Sequence, residues 1–144
     1  MKSKAQMIAF IQSQKTAFVA SVDEEGFPNI KAMFAPERIE GNDFYFSTNL
    51  SSMRSQQFLK NPKASIYFYK KGRYKFEGLM LTGQMEVCCD HETKASIWHP
   101  QDVMYYPEGV DDPDYCVLKF TAQRGRYYTA LHSESFSMEE LPEN

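Results

Sequence analysis

Ser47, Thr48, Ser51, Ser52 and Arg54 lie within eight consecutive positions of the segment FYFSTNLSSMRSQQFLKNPKASIYFY, residues 44–69. The segment reads as a short aromatic strand, a hydroxyl-rich turn, a helix ending at Asn61-Pro62 and a second aromatic strand. Hydroxyls, backbone N–H groups freed at a helix start and a cation are what a phosphate monoester needs. A plainer reading stands beside this one: Ser51 caps the helix and Arg54 is a surface charge in its first turn. An arginine there opposes the helix dipole, so an anion close by would relieve it.

Other chemistry-bearing residues carry the same two-sided reading. Lys31 sits between Ile30 and Ala32-Met33 and, by alternation, shares a strand face with Asn29 and Met33. It is either a solvated strand lysine or a second cation for the same phosphate. Trp98, the one tryptophan, is either a core anchor or a cofactor wall. Tyr127 and Tyr128 point to opposite faces of a strand. His91, His99 and His132 do not repeat at metal-ligand spacing, and no CxxC occurs. His99 or His132 could ligate a haem, although a lone histidine is more often structural. Nucleophile-elbow, HExxH, Walker and GxGxxG patterns are all missing, which leaves hydrolase, metalloenzyme and nucleotide-kinase readings unsupported.

The elements that must position these residues follow from periodicity and turn chemistry. Met7, Ile8, Phe10 and Ile11 recur at helical spacing, predicting a helix over 4–14. TAFVASVD (16–23) is a strand, Glu24-Glu25-Gly26 a tight turn, and PNIKAMFA (28–35) a strand opened by proline. A turn at 40–43 leads to DFYFST (43–48), and these three strands are expected to form a meander. After the helix at 51–60 come strands over 64–69 and about 74–88, with Gly78 and Gly83 marking a bulge or bend. Asp90 is the N-cap of a helix over 92–99. The acidic loop PEGVDDPD then precedes two last strands, YCVLKFTA and RGRYYTAL, and a polar tail whose Phe136, Met138 and Leu141 form a docking stripe. Short antiparallel strands between glycine turns argue for a small, mainly β, closed barrel with helices plugging its ends.

Composition sets the bounds. The 144 residues make one domain, large enough to bury a core without disulfide staples. Three cysteines, two of them adjacent at Cys88-Cys89, fit a reducing, cytoplasmic compartment. The N-terminal stretch has no secretory pattern and no apolar run approaches spanning length, so no membrane is expected. A net charge of -3 gives nucleic acid no general attraction, and the basic stretch Lys60–Lys75 reads as a strand edge and hairpin tip. Eleven Phe and nine Tyr suit a β core or a subunit interface.

VDEEGFPNIKAM, FYFSTNLSSMRSQQFLKNPKASIYF, FEGLMLTGQMEV and YYPEGVDDPDYCVLKFTAQRGRYY together cover nearly the whole chain. In that order they resemble the pyridoxamine 5′-phosphate oxidase-like FMN-binding split-barrel superfamily, and within it the short general-stress-protein group. The resemblance implies a split β-barrel of about six to seven antiparallel strands, dimeric, with FMN at the subunit interface. The positions matching the family's FMN contacts are Lys31, Ala32 and Met33, then Ser47 and Thr48, then Ser52, Met53 and Arg54. Glu77 falls near the isoalloxazine edge, and the partner chain supplies residues around Trp98 and Gln101 and near Tyr128.

The chain also departs from the family pattern. Lys31 stands where the oxidase has arginine, Met53 removes one of two adjacent cations, and Tyr128 stands where many relatives have tryptophan. The chain ends before the oxidase's C-terminal arginine-containing substrate segment, so pyridoxamine-phosphate oxidase activity itself is not expected. The expectation is a homodimeric, FMN-dependent oxidoreductase of a small substrate, with stress response as its setting. The alternatives are a non-catalytic flavin carrier or sensor, and a haem- or deazaflavin-binding relative. No catalytic residue is assigned.

Overall fold

The computed structural model describes residues 1–144. Helix α1 (Lys4–Gln12) opens on Ser3, whose side chain accepts from the Gln6 N–H, and it buries Met7, Phe10 and Ile11. Eight strands follow: β1 (Thr16–Val22), β2 (Pro28–Phe34), β3 (Arg38–Glu40), β4 (Asp43–Asn49), β5 (Lys63–Lys71), β6 (Phe76–Cys88), β7 (Tyr115–Thr129) and β8 (His132–Ser137). Helix α2 (Met53–Lys60) joins β4 to β5, and α3 (His91–Ser96) follows β6. Short 3-10 turns at Pro100–Met104 and Gly109–Asp111 complete the β6–β7 connection.

All pairings are antiparallel within one sheet, ordered β2-β1-β5-β6-β7-β4-β3, with β8 also on β7. The two ends of that path, β2 and β3, are consecutive in the chain. Four Cα–Cα steps from Phe34 to Arg38 span no more than about 15 Å. A flat seven-strand sheet would hold its edges about 29 Å apart. The sheet must therefore curl until its edges meet. No ladder joins them, so the barrel is split rather than closed.

The strands differ from the sequence-based expectation in three ways. The third predicted strand, β4, does not extend a meander from β2 but pairs with β7, from Asp43↔Thr121 to Asn49↔Tyr115. Phe44, Tyr45 and Phe46 are all buried, so β4 needs cover on both faces, which an exposed edge such as β2 cannot give. The two last predicted strands are one. Gln123 is the extra residue between the pairs Gly83↔Ala122 and Thr82↔Arg124, a bulge and not a turn. There β7 changes neighbour, leaving β4 for β8, an eighth strand (His132–Ser137) that runs into the segment expected to be a polar tail with a docking stripe. Met138 and Leu141 of the tail are buried in the core.

The predicted helix over 92–99 stops at Ser96, with Asp90 capping the Thr93 N–H as expected. Pro100 disfavours helix at the residue before it. The barrel interior is filled by Phe44, Phe46, Phe68, Phe120, Leu79, Leu81 and Ile66, among others. A second, smaller cluster lies on the other face of β4 and β7. There Tyr45, Cys88, Ile97, Tyr115 and Val117 pack with Trp98 and Tyr106. No helix is long and apolar enough to cross a membrane.

Candidate functional site

The first turn of α2 meets the end of β4. Ser52, not Ser51, is the N-cap: its hydroxyl oxygen accepts from the Ser55 N–H at 3.2 Å and donates to Ser55 Oγ at 2.8 Å. Ser55 in turn donates to the Asn49 carbonyl at 2.9 Å, which fixes the turn against the strand end. Gln56 N–H bonds the Ser52 carbonyl, whereas the N–H groups of Met53 and Arg54 find no acceptor in the chain. Two amides at the helix start are thus open.

Arg54 folds back toward the end of β4. It donates from Nη2 to Thr48 Oγ1 at 2.6 Å, while its buried Nε has no hydrogen-bond partner. Burial pulls the guanidinium below its ordinary pKa, and the surrounding Tyr106 and Cys116 act in the opposite direction. Burial also pushes the Tyr106 hydroxyl up to about 12 and the Cys116 thiol up to about 11. Both are neutral at pH 7, so the half-buried cation has no anionic side chain bonded to it. Cys116 comes beside the turn through the β4–β7 register, Thr48↔Cys116, which no local motif announces.

Ser51 is engaged elsewhere. Its N–H donates to Asp114 Oδ1 at 2.8 Å and its hydroxyl to Asp114 Oδ2 at 3.0 Å. Asp114 thus serves the serine donors and makes no ion pair with Arg54. Ser47 points to the other side of β4, where its Oγ lies 3.2 Å from the Tyr115 hydroxyl, itself donating to the Lys94 carbonyl at 3.2 Å.

A family model described as "Pyridoxamine 5'-phosphate oxidase" matches residues 3–129. The chain belongs to that family. The pyridoxine/pyridoxamine 5'-phosphate oxidase of Agrobacterium fabrum is 31% identical over 85 residues, 59% of this chain and 40% of that protein. The chain thus spans about 40% of the length of such curated relatives. The crystal structure of a Clostridium acetobutylicum protein related to general stress protein 26 of B. subtilis (pyridoxinephosphate oxidase family) is 38% identical. It covers 94% of each chain with a TM-score of 0.80. A heme binding protein from Mycobacterium smegmatis shares the fold alone, at 18% identity and a TM-score of 0.71, over 90% of this chain and 55% of that one.

The remaining positions matched to the oxidase family's FMN contacts are dispersed in a single chain. Lys31 is exposed on β2, in register with buried Val19, while Met33 pairs with Ala17 and the exposed Ala32 faces outward with Phe18. Glu77 lies on the inner side of β6, where its Oε2 accepts from the Tyr127 hydroxyl at 2.5 Å. That pair opens into a cleft of about 550 Å³ at the α1–β8 end, lined also by Lys2, Gln6 and His132. Tyr128, by contrast, pairs with Gly78 on the outer face. One chain cannot bring Glu77 and Tyr128 to a single site. Trp98 meets Tyr115 edge-on within its own chain, ring centroids 5.0 Å apart, and Gln101 is exposed in the following turn. Tyr106, Asp114, Tyr115 and Cys116 are the site residues that sequence reasoning missed.

Proposed function

We propose that the chain binds FMN by its phosphate at the α2 turn and acts, as a homodimer, as a flavin-dependent oxidoreductase of a small planar substrate. One observation carries this reading: a half-buried Arg54, bonded to Thr48, with a buried Nε unpartnered beside two open amides. A desolvated cation without an anion is costly, and a phosphate would restore what burial removed. Arg54, the amides of Met53 and Arg54, and Thr48 would hold the phosphate, with Lys31 as a second cation from β2. Bound FMN supplies the electron-accepting ring, while the chain supplies placement and electrostatics.

The outer face supports the dimer. Ile30 and Phe34 on β2 are 72% and 82% exposed, and Phe18, Tyr69 and Phe76 add apolar surface on the neighbouring strands. A contiguous apolar face on a curled sheet suits a second copy of the chain. Two copies would also remove the separation of Glu77 from Tyr128, since each could contribute a different face. Family membership and the general stress protein 26 relative support a flavin site; the activity of the longer oxidases is not carried over. Lys31 and Met53 leave the site with fewer guanidinium contacts than the oxidase pattern.

A non-catalytic flavin carrier is the second reading. It is favoured by Tyr106 and Cys116, whose raised pKa values keep them protonated at pH 7 and so unsuited to act as general bases. The deciding experiment is parallel titration of the purified chain with FMN, riboflavin and haem, followed by turnover with NADH or NADPH. Saturable FMN binding tighter than riboflavin supports the phosphate site, and turnover then separates oxidoreductase from carrier. Haem binding alone would overturn the flavin reading.

A further inference from the structure

Asp114 holds both donors of Ser51, the residue just before the α2 cap, at 2.8 and 3.0 Å. Its own backbone is clamped: Leu50 N–H donates to the Asp114 carbonyl at 2.7 Å, and Asp114 N–H donates to Asp112 Oδ1 at 3.0 Å. Asp112 is fixed in turn by Lys94, a lysine only 5% exposed whose Nζ donates to the Asp112 carbonyl at 3.1 Å. The backbone of Asp114 is therefore anchored to α3 through Asp112 and to the α2 turn through Leu50, which keeps its carboxylate within reach of Ser51. It bonds serine and not arginine, so the guanidinium of Arg54 remains open. Its field also reaches Tyr106 and Cys116, the two groups that face Arg54.

We propose that Asp114 is a built-in anion that sets the phosphate affinity of the α2 turn, withholding the Ser51 donors and repelling a second negative charge. The proposal rests on the FMN reading of the same turn. A phosphate monoester brings up to two negative charges to a place that already has one, and like charges at one site disfavour each other. Asparagine at this position keeps an acceptor for the Ser51 N–H and removes the charge. Glutamate keeps the charge. The chain would thus hold FMN reversibly, with discrimination between phosphorylated and unphosphorylated flavin reduced by its own carboxylate.

The test is a fluorescence titration of wild type, Asp114→Asn and Asp114→Glu with FMN and with riboflavin, at fixed salt. Asp114→Asn is expected to bind FMN at least about fivefold more tightly, with riboflavin unchanged within about twofold. Asp114→Glu is expected to keep the wild-type preference. If Asp114→Asn leaves the FMN-to-riboflavin preference unchanged or lowers it, Asp114 organises the turn instead of competing for it, and the proposal falls alone. If wild type itself shows no preference for FMN, the phosphate reading falls and takes this one with it. Circular dichroism and thermal unfolding check the fold, and Asp114→Ser, also neutral and short, replaces Asp114→Asn should that variant fail to fold.

Discussion

Arg54 reaches back 2.6 Å to the hydroxyl of Thr48, tying the first turn of α2 to the last residues of β4. The bond holds the guanidinium against the end of β4 instead of letting it extend into water. A long cationic side chain gives up rotamer freedom to stay there. The single neutral bond to Thr48 leaves its buried Nε without a partner.

Arg54→Ala should therefore weaken FMN binding about 10- to 100-fold, the usual worth of a charge-assisted hydrogen bond, and leave riboflavin binding unchanged. Flavin fluorescence titration reads both. Stability should shift little, because the side chain contributes no ion pair to the fold.

Tyr115→Phe should destabilise the chain by about 1–2 kcal/mol in denaturant unfolding. The lost hydroxyl leaves Ser47 Oγ and the Lys94 carbonyl without their shared partner in a buried cluster. A loss below a few tenths of a kcal/mol would show that water replaces the hydroxyl there.

Gly83→Ala should cost about 2–3 kcal/mol or prevent folding. A Cβ at Gly83 would collide with the Thr121 carbonyl oxygen and lie 3.1 Å from the Ala122 Cα, both backbone atoms that cannot turn aside. This is the bulge at which β7 leaves β4 for β8, so the same change should perturb pairing on both sides. Hydrogen exchange along β7 would show it.

His99 links the 3-10 turn to the β2–β3 connection through Glu37, with Nε2 and Oε2 2.9 Å apart. The hydrogen bond and charge of Glu37 raise the His99 pKa above its ordinary value. A raised folded-state pKa means the stabilisation is fully present below the unfolded value, about 6.5, and is lost as pH rises through the folded value. The Tm advantage of wild type over His99→Gln should accordingly be larger at pH 6 than at pH 8.5. The effect should be small, since the pair is half exposed.

Ile30→Lys should shift a dimer toward monomer in sedimentation while leaving monomer stability nearly unchanged. Ile30 is 72% exposed in the single chain, so only a second copy would feel the charge. Unchanged association would place the dimer contact elsewhere.

Much of the fold was legible because alternation and capping are local. The bounds of β1 and β2, the α2 segment ending before Pro62 and the Asp90 cap all follow from neighbours within a few residues. Pairing is not local. DFYFST looked like the third strand of a meander because it follows a turn, yet three consecutive buried aromatics made it an interior strand beside β7. Gln123, left between the predicted strands YCVLKFTA and RGRYYTAL, looked like a break, but it is the bulge residue of one continuous strand, β7.

The candidate site divides in the same way. Local order alone gathers Thr48, Ser52, the first amides of α2 and Arg54 at a helix start, because turn and helix geometry place residues 48–54 together without outside help. Which of them stay open was decided by the tertiary structure. Asp114, sixty-three positions from Ser51, takes the serine donors, and the β4–β7 register brings Cys116 against Arg54. Long-range contacts settle such matters because burial, not spacing, sets which polar groups find partners within the fold and which remain for a ligand.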